Sequence, residues 1–224
     1  MSRHKEAADG PLNCDVLSLD DPATPMTARP TSSSGRSKAK AKDKSEFRRY
    51  FDQEELPMSI ETQNGDRNIV WTTPLEALDY THILPICCSG LQETLEPYPS
   101  FAFKATMELL EHGMADSRVL KSLPPVMSHV KAALNKRDKE VVHRVLLVVQ
   151  QLAVCEGVGE ALSEYYRTIL PLCNLLKDKR LGTGDGMTKE LIQETLEILE
   201  AYGKDDAHHQ IQHHVPGYQH CAVK

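Results

Sequence analysis

Four histidines near the C-terminus, His208, His209, His213 and His214, have the spacing that comes nearest to chemistry. Imidazoles four residues apart on a helix share a face and can hold a zinc ion. The pattern lacks the glutamate of H-E-x-x-H, and the nearby acids are Asp205 and Asp206. A weakly pH-responsive surface is the better expectation. The stretch Gly182-Thr183-Gly184-Asp185-Gly186-Met187-Thr188-Lys189 looks like a phosphate loop. Its spacing fits neither G-x-x-x-x-G-K-[ST] nor G-x-G-x-x-G. No strand precedes it, and Asp185 would repel phosphate, so it reads as a loop between helices.

Six cysteines stand at 14, 87, 88, 155, 173 and 221. None forms C-x-x-C. Cys87 and Cys88 are adjacent, a poor disulfide pair, and the pattern suits a reducing compartment. Cys155 and Cys173 lie among apolar residues and read as inert core thiols. Tyr165-Tyr166-Arg167 offers either an exposed aromatic-cation patch or packing between helices, the latter being the default. No G-x-S-x-G occurs, and no set of residues supplies acid, base and oxyanion roles together. The expectation is a protein with no catalytic residue, no metal and no cofactor.

The elements that would position any site centre on Asp138–Val154. Apolar residues recur there at 141, 142, 145, 146, 148, 149, 152 and 153, the 3.6-residue period of a helix. The five valines in that set would suit a strand, but the run outlasts ordinary strands. Asp138 stands at the N-cap, and Glu140 follows where the helix dipole favours an anion. Leu147 and Val154 fall outside the stripe, which predicts cover on more than one side.

Three Leu-Pro pairs, Leu84-Pro85, Leu123-Pro124 and Leu170-Pro171, sit in similar apolar surroundings. Each interrupted segment precedes a cleaner amphipathic helix: Ser100–His112, Asp138–Val154 and Thr188–Tyr202. The pairs recur at spacings of 39 and 47 residues, the period of HEAT or armadillo stacking. The predicted fold is therefore all-α: a HEAT/armadillo-like helical repeat over 47–203, with a β-hairpin at 58–71. Gly113 and Gly203 stand at expected helix C′ positions. On the last long helix Leu191, Thr195, Ile198, Leu199 and Tyr202 are expected to share the buried face. Glu194, Glu197 and Glu200 are expected on the solvated one. Residues 204–224 read as a tail docked on the body.

In the hairpin, Met58-Ser59-Ile60 and Asn68-Ile69-Val70-Trp71 flank Asn64-Gly65, a strong turn dipeptide. Trp71, the chain's one tryptophan, is expected to pack the hairpin on the first helix or to anchor an interface. Residues 1–46 are poor in large apolar side chains and read as a low-complexity arm. The net charge of −6 is uneven. Residues 1–50 hold ten Lys/Arg against seven Asp/Glu, and the rest sixteen against twenty-five. A basic arm on an acidic body can reach a polyanion that the body repels. Lys38, Lys40, Lys42, Lys44, Arg48 and Arg49 carry that arm, and the first four are not interleaved with aromatics, which argues against nucleic acid. MSRHKEAADG lacks the apolar core of a signal peptide. No apolar run is long enough to span a bilayer, and the terminal Lys224 spoils a prenylation box at Cys221.

The chain resembles the Parkin co-regulated gene protein family. The likeness begins at Phe47-Arg48-Arg49-Tyr50-Phe51, Trp71, Leu78-Asp79-Tyr80 and Leu84-Pro85. It continues through Leu110-Glu111-His112-Gly113, Tyr165-Tyr166-Arg167, Ile169-Leu170-Pro171, Leu191-Ile192-Gln193-Glu194-Thr195-Leu196-Glu197 and Tyr202-Gly203. The linker from Lys177 to Met187 is shorter than in animal members, and the histidine cluster is outside the family pattern. The resemblance implies a non-enzymatic structural protein of the cilium or flagellum. Such a protein lies in the axoneme at the inner junction of the doublet microtubule and binds α/β-tubulin. Its neighbours would be a small β-sandwich cilia-associated protein and other microtubule inner proteins. Neither nucleic acid nor membrane is implied, and the location is cytoplasm and cytoskeleton. On this reading Lys38–Arg49 guides docking on tubulin, while Trp71, Glu76 and His112 form a patch facing an adaptor. A soluble cytosolic helical-repeat adaptor holding a regulatory complex is the alternative.

Overall fold

The computed structural model describes residues 44–63, 66–177 and 186–219. A short helix α1 (Glu46–Asp52) leads into a hairpin of β1 (Met58–Gln63) and β2 (Asp66–Trp71), then a 3-10 turn at Leu75–Ala77. Next come α2 (Tyr80–Gly90), α3 (Tyr98–His112), α4 (Ser117–Leu134) and α5 (Lys139–Val154). The chain continues with α6 (Val158–Leu162), α7 (Tyr166–Leu176), α8 (Gly186–Tyr202) and α9 (Ala207–His214). The protein is mostly helical, with one two-stranded sheet among the described residues.

The local signals for these helices are side-chain caps. Asp138 Oδ1 accepts from the Val141 amide at 3.1 Å, Asp116 Oδ1 from Arg118 at 3.0 Å, and Asp79 Oδ1 from Thr81 at 3.0 Å. In α5 all eight residues of the predicted stripe are buried. Leu147, however, is exposed, so α5 is covered along the stripe and not around that side. The prolines do not interrupt their helices: α2 runs through Pro85, α4 through Pro124 and Pro125, and α7 through Pro171. Pro124, Pro125 and Pro171 face solvent, where water can satisfy a carbonyl left without its amide partner.

The packing runs in two rows. α2 lies on α4 and α4 on α7; α3 lies on α5 and α5 on α8. Within each successive pair the helices also touch, α2 with α3, α4 with α5, and α7 with α8. One apolar cluster runs from Phe47 to Tyr218 through all of them.

Two expectations are corrected and one is refined. Gly113 and Gly203 end α3 and α8 as expected, though not as left-handed caps. Gly113 has φ −85°, and the one described glycine with positive φ is Gly157, at 71° ahead of α6. Gly113 and Gly203 instead mark close approaches. A Cβ on Gly113 would lie 2.8 Å from Tyr80 and Val119, and one on Gly203 would lie 2.5 Å from the Leu199 carbonyl. In α8 Thr195 and Leu199 are buried as predicted, but Ile192 and Leu196, not Leu191 and Ile198, are buried with them, and Tyr202 is half exposed. Glu200 is not on a solvated face. Its carboxylate meets the Tyr218 hydroxyl and His208 Nδ1 at 3.3 Å. Ala207, Ile211, Val215 and Tyr218 are buried, and α9 packs on α7 and α8.

The strands are longer than predicted, six residues each, paired from Met58 opposite Trp71 to Gln63 opposite Asp66. Asn64-Gly65 lies outside the described residues.

Candidate interaction surface

The elements at one end of the body bring Trp71, Glu76 and His112 to α3. Trp71 Nε1 donates to Glu108 Oε2 at 2.6 Å. Trp71 therefore packs the hairpin on α3, the second helix of its pair, and not on the first. One turn further along α3, His112 Nε2 lies 2.9 Å from Glu76 Oε1. Its Nδ1 lies 3.3 Å from the Tyr80 hydroxyl. An ionised carboxylate only accepts, so Nε2 donates the hydrogen bond to Glu76.

Arg118, in the first turn of α4, closes the group. Its guanidinium stacks 4.4 Å from the centre of the Tyr80 ring, and Nη1 donates to the Glu76 carbonyl at 3.0 Å. Nε binds the N-cap Asp116. The 3-10 turn is thus held by side chains from α3 and α4, both of which touch Tyr80 of α2. The backbone amide of Glu76, then His112, hold the Glu76 carboxyl below its usual range. The Arg118 amide and side chain do the same for Asp116. Burial pushes the Tyr80 hydroxyl up. Glu76 remains 70% exposed along its side chain and His112 30%, so the pair is accessible to a partner.

The structure joins Glu76 to His112 and sets Trp71 one turn away along α3; Glu108, Tyr80 and Arg118, which hold them, were not among the predicted residues. The i,i+4 spacing of Glu108 and His112 was the available signal.

The basic arm divides. Lys38, Lys40 and Lys42 lie outside the described residues. Lys44 pairs with Asp52 at 2.9 Å. Arg48 and Arg49 belong to α1, a helix that the sequence reading did not assign, whose N-cap Ser45 accepts from Arg48 N at 3.2 Å. Arg48 lies 4.7 Å from the Tyr98 ring centre and 4.0 Å from both Asp52 and Glu93. It is a packing residue. Arg49 faces outward beside Glu46, at 3.8 Å.

Other candidates resolve as structure. Cys87, Cys88, Cys155 and Cys173 are buried free thiols. Burial pushes Cys88 and Cys173 up to about 12 and Cys155 to about 11, and raises Cys87 as well. Thiolate chemistry is suppressed at all four. Cys14, Cys221 and Gly182–Asp185 of the glycine-rich loop lie outside the described residues. Tyr166 is buried between α7 and α8, its hydroxyl donating to the Leu199 carbonyl at 2.7 Å. Among the described residues no three His, Cys, Asp or Glu side chains converge as a metal ion requires.

With this geometry in hand, two comparisons bear on identity. The family model for the Parkin co-regulated protein matches residues 45–220. The mouse Parkin coregulated gene protein homolog is 37% identical over 187 residues, covering 79% of this chain and 77% of its own length.

Proposed function

The chain belongs to the Parkin co-regulated protein family, and from that premise we propose a non-enzymatic structural role in the ciliary or flagellar axoneme. In this role it binds tubulin at the inner junction between the A- and B-tubules of the doublet microtubule. One observation carries the reading: the helices pack in two rows, α2-α4-α7 and α3-α5-α8. That order supports a HEAT/armadillo-like reading, in which the stack is a stiff body with long side faces. A protein held in a polymer wall needs large shape-matched contacts, more than ~1,000 Å² in total, repeated along the lattice. Exposed ion pairs contribute only ~0–1 kcal/mol each. The helical body therefore carries most of the affinity, and the basic arm guides approach to acidic tubulin. The patch of Trp71, Glu76 and His112 serves a further protein partner, such as an adaptor. A small β-sandwich neighbour and other microtubule inner proteins complete the proposed set.

The test is microtubule co-sedimentation of the full chain and of a chain lacking residues 1–43, across a salt series. The cut falls before Ser45 because that residue caps α1 and its amide donates to Glu93 Oε1 at 2.9 Å. The shortened chain is expected to keep binding with a flatter salt dependence. Complete loss would make the arm the principal contact. The soluble-adaptor reading is separated by localisation: a tagged chain is expected to stay in detergent-extracted axonemes, and full release into the soluble pool would favour the adaptor.

A further inference from the structure

The two edges of the hairpin differ. The register sets Gln63 opposite Asp66 across two connecting residues, so the pairs next to the connection exchange hydrogen bonds and the phase alternates from there. The Thr72 amide donating to the Pro57 carbonyl at 3.0 Å continues that phase at the base. Ser59, Glu61 and Gln63 therefore turn their backbone groups toward β2. Met58, Ile60 and Thr62 turn theirs away. On the opposite edge, the outward residues of β2 lie against α3. Lys104 Nζ reaches the Arg67 carbonyl at 3.4 Å and Asn68 Oδ1 at 3.0 Å, and Trp71 is bound to Glu108.

The β1 edge has no such cover among the described residues. The Met58 amide donates to the Leu56 carbonyl at 2.7 Å. That leaves the Met58 carbonyl and both backbone groups of Ile60 and Thr62 facing outward. Proteins ordinarily blunt an open edge with proline, lysine or a bulge. β1 reads Met-Ser-Ile-Glu-Thr-Gln, with neither residue, and its register is unbroken. Beside it lies a pocket of about 550 Å³ lined by Phe51, Glu54, Leu56, Met58, Ser59, Ile60 and Thr72. Three consecutive β1 residues line it, and their side chains alternate between faces. The pocket therefore follows the strand edge. Phe51, Leu56, Met58 and Ile60 give it an apolar wall, Ser59, Thr72 and Glu54 a polar one, and Glu54 and its neighbour Glu55 are exposed acids.

We infer that β1 is a docking edge for an extended segment of a partner protein. The segment adds as a third strand, seats an apolar side chain among Phe51, Leu56, Met58 and Ile60, and brings a lysine or arginine to Glu54. Backbone groups supply affinity and the pocket supplies side-chain choice, as in other strand additions. A second copy is the poorer occupant, since two edges paired together would crowd their own carboxylates. The inference holds on either functional reading above.

The test pans a phage-displayed library of random peptides of about ten residues, the length of a long strand, against the purified full chain. Selected peptides are expected to alternate apolar and polar positions, to carry a basic residue, and to bind the free synthetic form. Thr62→Pro removes an outward amide and no ladder bond, a position where proline is tolerated. It is expected to weaken binding about tenfold or more while leaving the thermal midpoint unchanged. N-methylation of alternate peptide amides should do the same against the unaltered protein, which keeps the test decisive should the proline variant misfold. Selection of no peptide, or of peptides indifferent to both changes, overturns the inference. A dimer in sedimentation equilibrium that Thr62→Pro dissociates would overturn it in favour of a second copy.

Discussion

The Tyr166 hydroxyl donates to the Leu199 carbonyl at 2.7 Å inside the core, joining α7 to the last turn of α8 where the chain bends into α9. Replacing it with phenylalanine keeps the ring and strands a buried carbonyl. Tyr166→Phe is expected to cost about 1–2 kcal/mol, a fall in thermal midpoint of about 2–4 °C per kcal/mol for a domain of this size. Differential scanning calorimetry reads it. An unchanged midpoint would mean that water satisfies that carbonyl.

Gly90 of α2 lies against Phe47 of α1 and Ala102 of α3. A Cβ there would stand 2.6 Å from Ala102 Cβ and 2.7 Å from Phe47 Cγ. Helix propensity alone favours alanine over glycine, so the local and tertiary effects oppose each other. Overpacking wins, and Gly90→Ala should lose about 1–3 kcal/mol in urea denaturation. A stabilised variant would show that α1 can move aside freely.

Arg48 and Arg49 are adjacent and equal in charge, yet their settings separate them. Arg48 stacks on Tyr98 between two carboxylates; Arg49 is largely exposed. Arg48→Gln should cost about 1–2 kcal/mol through lost cation–π contact and packing, and Arg49→Gln close to nothing. Equal thermal midpoints for the two variants would refute the assignment.

Acid should act in two stages. Burial holds the His129 imidazole below its ordinary value of 6.5, opposed by the charge of Glu46. The unfolded chain then binds more protons than the folded one below that value, so stability falls as pH drops from about 6.5. The carboxyls of Asp52, Glu76, Asp79 and Asp116 are all depressed. Their contribution is present above the usual carboxylate range and is lost as pH falls through it. The urea midpoint should therefore decline between pH 7 and 5, then more steeply below about 4. Burial also lowers His214, so His129→Asn should flatten the first stage in part, its combination with His214→Asn should remove it, and both should leave the second. A double variant that keeps the first decline would move its origin elsewhere.

Much of this architecture was legible in one dimension. Periodicity over 138–154 identified α5 and its eight buried residues, and Asp138 announced its start. The spacing of strong apolar and turn residues marked the hairpin, and the apolar setting of the cysteines anticipated thiols held neutral. These features depend on neighbours within a few residues along the chain, so composition and spacing suffice to find them. Their chemistry, and the family likeness over 45–220, were present in residue order alone.

Tertiary structure decided what each surface meets. Glu200 looks like one more solvated acid until the returning tail sets His208 and Tyr218 against it. Arg48 looks like part of a basic arm until Tyr98 and Glu93, some fifty residues away in sequence, close over it. Gly113 and Gly203 look like ordinary helix stops until Tyr80 and Val119 crowd the first and the Tyr166 hydroxyl the second. The same holds for α8, where Ile192 and Leu196 took the buried face. A helical period defines candidate stripes, and the contact with α5 selects among them. Burial is a property of pairs of distant segments, and no local pattern records which segments will meet.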